Sequence, residues 1–221
     1  MRTLIINFKN YPEVFGEGSV RLAHAAARGV TGLDVELAVA PPVSMIATVA
    51  ARVKVQVFSQ SLSGGADAKS TGANLAGAVK GAGAQGTLLN HSEARLTADE
   101  LTRALESARS AGLKACVCAA TPAEVGEYSR LGAEYLAVEP PELIGSGRAV
   151  SRAAPGAVTA SVKAAGRAGY RGRLLCGAGI ASGEDVAKAV KLGAAGVLVS
   201  SSVVKSDAWE SKVRELARSL C

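Results

Sequence analysis

The sequence has 221 residues, of which 48% are hydrophobic, so the chain is long enough to form one large hydrophobic core. Only 4% of the residues are aromatic and 25 are glycine, which favours short helices packed closely against a sheet. The net charge of +6 is scattered along the chain, which argues against the concentrated basic surface of a nucleic-acid-binding protein. No apolar run approaches a membrane span and a strand pattern begins at once, so we expect a cytoplasmic protein without a signal peptide.

Short apolar runs alternate with segments of helical periodicity along the whole chain. Most of these runs are nearly continuous in Val, Leu, Ile or Ala, as parallel strands covered on both faces are. The eight runs are residues 3–8, 35–40, 54–59, 87–90, 114–119, 135–139, 173–176 and 196–199. Open doubly wound sheets usually have fewer strands, so eight repeated βα units predict a closed (β/α)8 barrel that forms a single domain over residues 1–221.

Three helix starts carry a hydroxyl residue followed three positions later by an acid, the pattern of a capping box. They are Thr97 with Glu100, Thr121 with Glu124, and Ser182 with Asp185. All three come after a predicted strand, so they mark the carboxyl ends of strands. In a (β/α)8 barrel the active groups lie at these ends, which is where candidate site residues are sought.

Polar side chains follow the first and fourth predicted strands. Asn7 and Lys9 are two residues apart, so both project into the barrel mouth. Burial of a lysine there costs free energy unless the ammonium meets an anion or extends to solvent.

His91 precedes Ser92, a competent helix N-cap, and the positive end of a helix favours a neutral imidazole. Such an imidazole can donate a hydrogen bond to a carbonyl oxygen. Glu93 lies where it could pair with Lys9.

The sixth predicted strand ends in a carboxylate, Glu139. Pro140 and Pro141 follow it directly, and Gly145 and Gly147 close the segment, which gives a loop with a stiff start and a pliable end. A strand that ends in an acid before such a loop is typical of a general base under a hinged lid. A carboxylate that caps the strand in a solvated surface loop would fit the same pattern.

Small residues follow the seventh and eighth predicted strands. Gly179, Ser200 and Ser201 leave backbone amides accessible at the starts of helices, where a phosphate can bind. In (β/α)8 barrels these two loops often form a phosphate site. The run GAGIASG at 177–183 lacks the spaced acid of a dinucleotide-binding unit, so we do not expect a dinucleotide.

The four cysteines do not have the spacing of a metal site. Cys116, Cys118, Cys176 and Cys221 contain no CxxC pair and have no histidine nearby in the sequence. We therefore expect no metal, and buried free thiols in a reducing compartment.

Taken together, these residues resemble the triosephosphate isomerase family across all eight units. The family's NxK matches Asn7 and Lys9, and its HSE matches residues 91–93. Its AYEP and IGTG, at the two ends of the lid, resemble residues 137–140 and 144–147. The resemblance implies a TIM barrel that interconverts two triose phosphates without a metal or an organic cofactor.

The same resemblance assigns roles to individual residues. Glu139 would be the base, His91 the electrophile and Lys9 the cation that stabilises negative charge. The substrate would be held by Asn7 and by the phosphate-binding residues Ile144, Gly145, Gly179, Ser200 and Ser201, with Ser92 and Glu93 in support.

The chain departs from many relatives in three places. It is short, like the compact archaeal type, which favours a homo-oligomer, with a tetramer more expected than a dimer. The lid has Pro-Glu-Leu at 141–143 where many relatives have Val-Trp-Ala, and Ser200 and Ser201 stand where many have two glycines. The third loop, residues 60–74, resembles the loop that inserts into the neighbouring subunit in dimers of this family. An ordinary solvated loop rich in glycine and serine would have the same sequence pattern.

Two other functions fit parts of the pattern. One is another phosphate-binding barrel enzyme, of the phosphoribosyl isomerase or thiamin-phosphate synthase type, but these lack the combined motifs of strands one, four and six. The other is a barrel that binds a phosphorylated metabolite without catalysis. A pure binder of anions has no use for the acid Glu139 beside its ligand.

Overall fold

The computed structural model describes residues 1–140, 143 and 149–221. Eight parallel strands close into a barrel in chain order, each paired with the next and the last with the first. This confirms the predicted (β/α)8 TIM barrel. The strands are β1 Arg2–Asn7, β2 Val35–Ala40, β3 Gln56–Ser59, β4 Gly86–Leu89, β5 Lys114–Ala119, β6 Tyr135–Val138, β7 Arg173–Cys176 and β8 Gly196–Val199.

Helices connect the strands on the outside of the barrel. Within the described residues they are α1 Glu17–Gly29, α2 Ile46–Arg52, α3 Ala76–Gly81, α4 Ala98–Ser110, α5 Pro122–Tyr128, α6 Val150–Ala153, α7 Pro155–Arg167, α8 Gly183–Lys191, α9 Ser201–Val204 and α10 Trp209–Arg218, with 3-10 turns at Pro12–Val14 and Val43–Met45. No helix among the described residues is both long and apolar enough to cross a membrane.

Four predicted strands have the bounds that the structure gives them, namely β2, β5, β7 and β8. The third strand begins two residues later than predicted, at Gln56. The amide of Val55 donates to the carbonyl of Val53 at 3.0 Å, so this part of the chain turns before it can pair with β2.

The apolar side chains form two layers, one inside the barrel and one between the barrel and its helices. The inner layer includes Ile5, Phe58 and Tyr135, and the ring centroids of the last two lie 6.1 Å apart. Gly86 makes room for this layer, because a Cβ there would lie 2.5 Å from the Phe58 ring. The interior is therefore packed below the mouth, which confines any ligand to the carboxyl end of the strands.

Two of the three predicted capping boxes are complete. At α4 and α8 the hydroxyl and the acid each accept from the other's backbone amide. At α5 Thr121 accepts from the amide of Glu124, but the Glu124 carboxylate accepts from the amide of Ala120 and pairs with Arg95. The prediction of a reciprocal box is therefore wrong at α5, because the arginine and a neighbouring amide draw the carboxylate away.

All four cysteines are free thiols, as predicted. Cys116, Cys118 and Cys176 are buried, whereas Cys221 is exposed, so the expectation of burial is wrong for the last one. Burial raises the pKa of Cys176 to about 12, which keeps this thiol protonated near neutral pH. No group of three or more possible metal ligands lies together among the described residues.

A buried carboxylate, Glu36, lies at the amino ends of the strands, opposite the mouth. Its oxygens accept hydrogen bonds from Gln56 at 3.0 Å, Lys114 at 2.9 Å and Tyr135 at 2.9 Å, and it also pairs with Arg173. Burial by itself would raise the pKa of Glu36, but these hydrogen bonds lower it to about 2. The carboxylate therefore joins strands β2, β3, β5, β6 and β7 as an anion.

We predict that Glu36→Gln removes a pH-dependent part of the stability. A carboxyl pKa of about 2 in the fold, against about 4.3 when unfolded, stabilises the fold by about 3 kcal/mol above that unfolded value. Because the folded pKa is the lower one, this contribution disappears as pH falls from about 5 towards 2. Free energies of unfolding from urea titrations between pH 7 and 3 measure it, with the exposed Glu106→Gln as the control. A wild-type advantage over Glu36→Gln that stays constant across this range would contradict the prediction.

Candidate active site

His91 is held at the end of β4 by the residue before it. Asn90 adopts a left-handed backbone, with φ of 58°. Its amide nitrogen donates to the carbonyl of Cys118 at 3.0 Å, and its amide oxygen accepts from the backbone of Leu96 at 3.0 Å. Asparagine tolerates this backbone better than most residues, and its two hydrogen bonds compensate for the strain. The turn therefore points His91 from the strand end into the mouth.

The hydrogen bonds of His91 define its tautomer. Its Nδ1 accepts from the backbone amide of Glu93 at 3.2 Å, so we assign the ring proton of the neutral imidazole to Nε2. This Nε2 lies 3.8 Å from Oε1 of Glu139. The imidazole therefore presents a hydrogen-bond donor towards the interior of the mouth.

Ser92 does not cap a helix, so that prediction is wrong. The first residues after His91 form a turn closed by the Ala94 amide and the His91 carbonyl at 2.8 Å, and α4 begins only at Ala98. The complete capping box of Thr97 and Glu100 supplies the stronger start signal. A single turn amide, rather than a helix end, therefore faces the imidazole.

Glu139 follows β6 and is buried, with 5% of its surface exposed. Its backbone amide donates to the carbonyl of Ala119 at 2.8 Å, and its Oε2 has no hydrogen-bond partner within residues 1–140, 143 and 149–221. Burial raises the pKa of this carboxyl, while His91, Cys118 and Lys9 act in the opposite direction. The burial rules out the alternative of a solvated cap on the strand.

Lys9 is fixed through both its backbone and its side chain. Its φ of 50° is unusual for a lysine. The amide donates to the side chain of Asn7 at 2.9 Å, and the carbonyl accepts from Gln60 at 2.9 Å. The ammonium pairs with Glu93 at 2.7 Å and is largely covered, with 17% of the side chain exposed. The predicted pairing of Lys9 with Glu93 is therefore present.

One cavity of about 330 Å³ collects most of the predicted site residues. It is lined by polar groups from the ends of β1, β4 and β6 and by the small residues after β7 and β8. The predicted residues among its lining are Asn7, Lys9, His91, Glu139, Gly179, Ser200 and Ser201. A base, a neutral donor and a cation thus share one mouth with accessible small residues, which suits proton transfer on an anionic substrate.

Two further predicted residues, Ser92 and Glu93, do not line this cavity. Ser92 lines a smaller cavity next to Cys118 and Glu139, and Glu93 reaches the site through Lys9. Ile144 and Gly145 lie outside the described residues, as do residues 141–142 and 146–148 of the predicted lid.

Comparison with known proteins agrees with this geometry. The family model of triosephosphate isomerase matches residues 2–216. The chain belongs to the triosephosphate isomerase family. Proteins named triosephosphate isomerase from three archaea are similar to it over nearly their whole length. The one from Methanosarcina barkeri (strain Fusaro / DSM 804) is 40% identical over 215 residues, which are 97% of each chain.

The two other archaeal relatives are 40% and 44% identical to this chain. The protein from Caldivirga maquilingensis is 40% identical over 217 residues, 98% of this chain and 96% of the relative. The one from Pyrobaculum arsenaticum is 44% identical over 221 residues, 98% of this chain and 97% of the relative. The predicted membership of the triosephosphate isomerase family and the predicted isomerase class are confirmed, and the rival barrel functions are not favoured.

Asn90, Cys118 and Gly177 are among the residues around the triosephosphate isomerase site that were not predicted. Asn90 could have been found, because an asparagine just after a strand suits a left-handed backbone. Cys118 could have been placed in the mouth by alternation along β5. Gly177 carried no sequence signal, because its role depends on a contact with Glu139 from the neighbouring strand.

We predict that Gly177→Ala impairs the isomerase without unfolding it. A Cβ at Gly177 would lie 2.5 Å from Cγ and 2.9 Å from Oε1 of Glu139, so the carboxylate must move. A displacement on the order of 1 Å can cost about a hundredfold in rate. Measurements of kcat, together with the free energy of unfolding, check this result.

Gly156→Ala is the matched control, because an added Cβ there meets nothing within 4 Å. It should leave kcat unchanged. Equal activity of the two alanine variants would show that Glu139 tolerates displacement, contrary to the prediction.

Proposed function

We propose that this chain interconverts dihydroxyacetone phosphate and D-glyceraldehyde 3-phosphate through an enediolate intermediate. The observation that carries the proposal is the buried carboxylate of Glu139, with an oxygen 3.8 Å from Nε2 of His91, in the cavity that Lys9 also lines. The names of the archaeal relatives support the same substrate pair.

Glu139 acts as the general base. Its carboxylate takes a proton from the carbon next to the carbonyl group, and the electron pair of that C–H bond becomes the double bond of the enediolate. The carbonyl electrons move to oxygen, and the protonated Glu139 then returns a proton to the neighbouring carbon. Burial raises the pKa of Glu139, which makes its carboxylate a stronger base than a solvated one.

His91 and Lys9 stabilise the negative charge on oxygen. The Nε2–H of the neutral imidazole donates its proton to the negatively charged oxygen, and Nε2 then takes the proton of the neighbouring hydroxyl, so that a proton moves between the two oxygens. The Lys9 ammonium, held by Glu93 at 2.7 Å, provides a fixed positive charge. A glutamate base and a neutral histidine are the roles known for this family.

The phosphate group binds at the small residues after β7 and β8. We assign it to the backbone amides around Gly179, Ser200 and Ser201, with Ile144 and Gly145 of the lid completing the contacts. The side-chain oxygen of Asn7 accepts from the backbone amide of Lys9 at 2.9 Å, and Asn7 also lines the cavity. Lid closure would exclude water and keep the enediolate from losing its phosphate. Each step uses side chains, amides and protons, so the mechanism calls for no metal or organic cofactor.

We further propose that residues 1–221 form one domain and that the chain assembles as a homo-oligomer, with a tetramer favoured over a dimer. Residues 67–72 of the third loop are exposed, which suits a loop that inserts into a neighbouring subunit. The cytoplasmic location expected from the sequence stays a prediction.

A coupled assay with glyceraldehyde 3-phosphate tests the proposed reaction. We predict that wild-type protein is active and that Glu139→Gln loses about 10² to 10⁴ in kcat, the usual contribution of a general base, while it keeps the fold. Glu106→Gln makes the same chemical change at an exposed position of α4 and should retain full activity. An unimpaired Glu139→Gln enzyme would overturn the assignment of the base, and an inactive wild type would overturn the proposed reaction.

A further inference from the structure

A second lysine reaches the cavity, and neither the motifs nor the proposed mechanism uses it. Lys205 follows α9, and its amide donates to the carbonyl of Ser201 at 3.0 Å. Its side chain lines the same cavity as Lys9 and Glu139, together with the serines after β8. This places a positive charge on the side of the cavity assigned to the phosphate group.

The ring of Tyr11 holds the Lys205 side chain. The Lys205 ammonium lies 4.8 Å from the centroid of the Tyr11 ring, within the range of a cation–π interaction. Tyr11 itself lines the cavity and is anchored where the 3-10 turn Pro12–Val14 begins. An aromatic ring orients an ammonium group without neutralising it. The charge of Lys205 therefore stays available to an anion.

The two lysines of the cavity differ in their partners. Lys9 is paired with the carboxylate of Glu93 at 2.7 Å. Lys205 forms no ion pair with any carboxylate of the described part of the chain, and it is exposed at the rim of the cavity. An incoming anion would therefore meet an uncompensated charge at Lys205.

Two buried hydroxyl groups lie on the same side of the cavity. The side-chain oxygens of Ser200 and Ser202 are buried and have no hydrogen-bond partner in residues 1–140, 143 and 149–221. Both serines line the cavity. Unpaired buried hydroxyls are unfavourable, and a ligand that offers several acceptor oxygens would satisfy both. A phosphate dianion has those oxygens and the charge that Lys205 complements.

We propose that Lys205, held by Tyr11, is a further substrate-binding residue that contacts the phosphate dianion and selects dianionic substrates. Tyr11 is a positioning residue that acts through Lys205. The inference rests on the proposed triose phosphate reaction and adds a specificity determinant to it. Because the lysine is at the rim, it also attracts the dianion before the substrate is fully bound.

The test compares Lys205→Met with Lys205→Arg, and uses Lys188→Met as the matched control. Lys188 is an exposed lysine of α8 outside the cavity, so its loss lowers the net charge equally. For Lys205→Met we expect KM for glyceraldehyde 3-phosphate to rise about tenfold and kcat to change little. This is the expected effect of losing one charge-assisted hydrogen bond to the substrate. The inhibition constant of inorganic phosphate should rise by a similar factor. Lys205→Arg should recover most of both losses, and Lys188→Met should behave as wild type.

Variants of Tyr11 test how the lysine is held. Tyr11→Phe keeps the ring and should keep KM, whereas Tyr11→Leu removes it and should raise KM in the direction of Lys205→Met. Circular dichroism and thermal unfolding confirm that each variant folds. If Lys205→Met does not fold, Tyr11→Leu and Lys205→Arg still test the contact through KM and phosphate inhibition.

The outcomes separate the two proposals. An inactive wild type would overturn the reaction itself. An active wild type with equal KM and equal phosphate inhibition in Lys205→Met and Lys188→Met would overturn only the role of Lys205. A loss of kcat in Lys205→Met without a change in phosphate inhibition would also overturn it, because a phosphate contact must affect phosphate binding.

Discussion

The rest of the site depends on the burial of the Glu139 carboxylate, one oxygen of which has no hydrogen-bond partner in the described part of the chain. Removal from water disfavours the charged form and raises the pKa of the carboxyl group. Burial of this group therefore lowers the stability of the fold and makes the carboxylate a stronger base. The barrel holds the carboxylate in this buried position because the Glu139 amide donates a hydrogen bond to the carbonyl of Ala119 and because Gly177, which has no Cβ, leaves space beside the side chain. Lys9 and His91 line the same cavity as this carboxylate.

The pKa of a buried glutamate is shifted in opposite directions at the two ends of the barrel. At the amino ends of the strands Glu36 accepts hydrogen bonds from five side chains, and its pKa is lowered to about 2. At the carboxyl ends the Oε2 of Glu139 has no hydrogen-bond partner among the described residues, and burial raises the pKa of this carboxyl. Extensive hydrogen bonding makes the first glutamate a stabilising anion, whereas burial makes the second one a stronger base. Stability and chemistry are thus separated along the barrel axis.

The sequence predicted what depends on local patterns. Continuous apolar runs located strands such as β2 and β5, and alternation along β1 predicted that Asn7 and Lys9 face the mouth. The helix start at Ser92 was wrong because two start signals lie close together and the capping box at Thr97 is the stronger. The contacts of Glu36 with Tyr135 and of Lys205 with Tyr11 join residues far apart in the chain. They depend on how strands are registered and loops are folded, which no local pattern specifies.

The central claim is that a carboxylate removes a proton from carbon, and conversion of dihydroxyacetone phosphate in D₂O tests it most directly. A proton held by Glu139 exchanges with solvent while the enediolate exists. NMR of the product should therefore find deuterium on the carbon next to the aldehyde of glyceraldehyde 3-phosphate. Product formed at the normal rate with no deuterium at that carbon would mean that hydrogen moves directly between the two carbons, which would contradict the account.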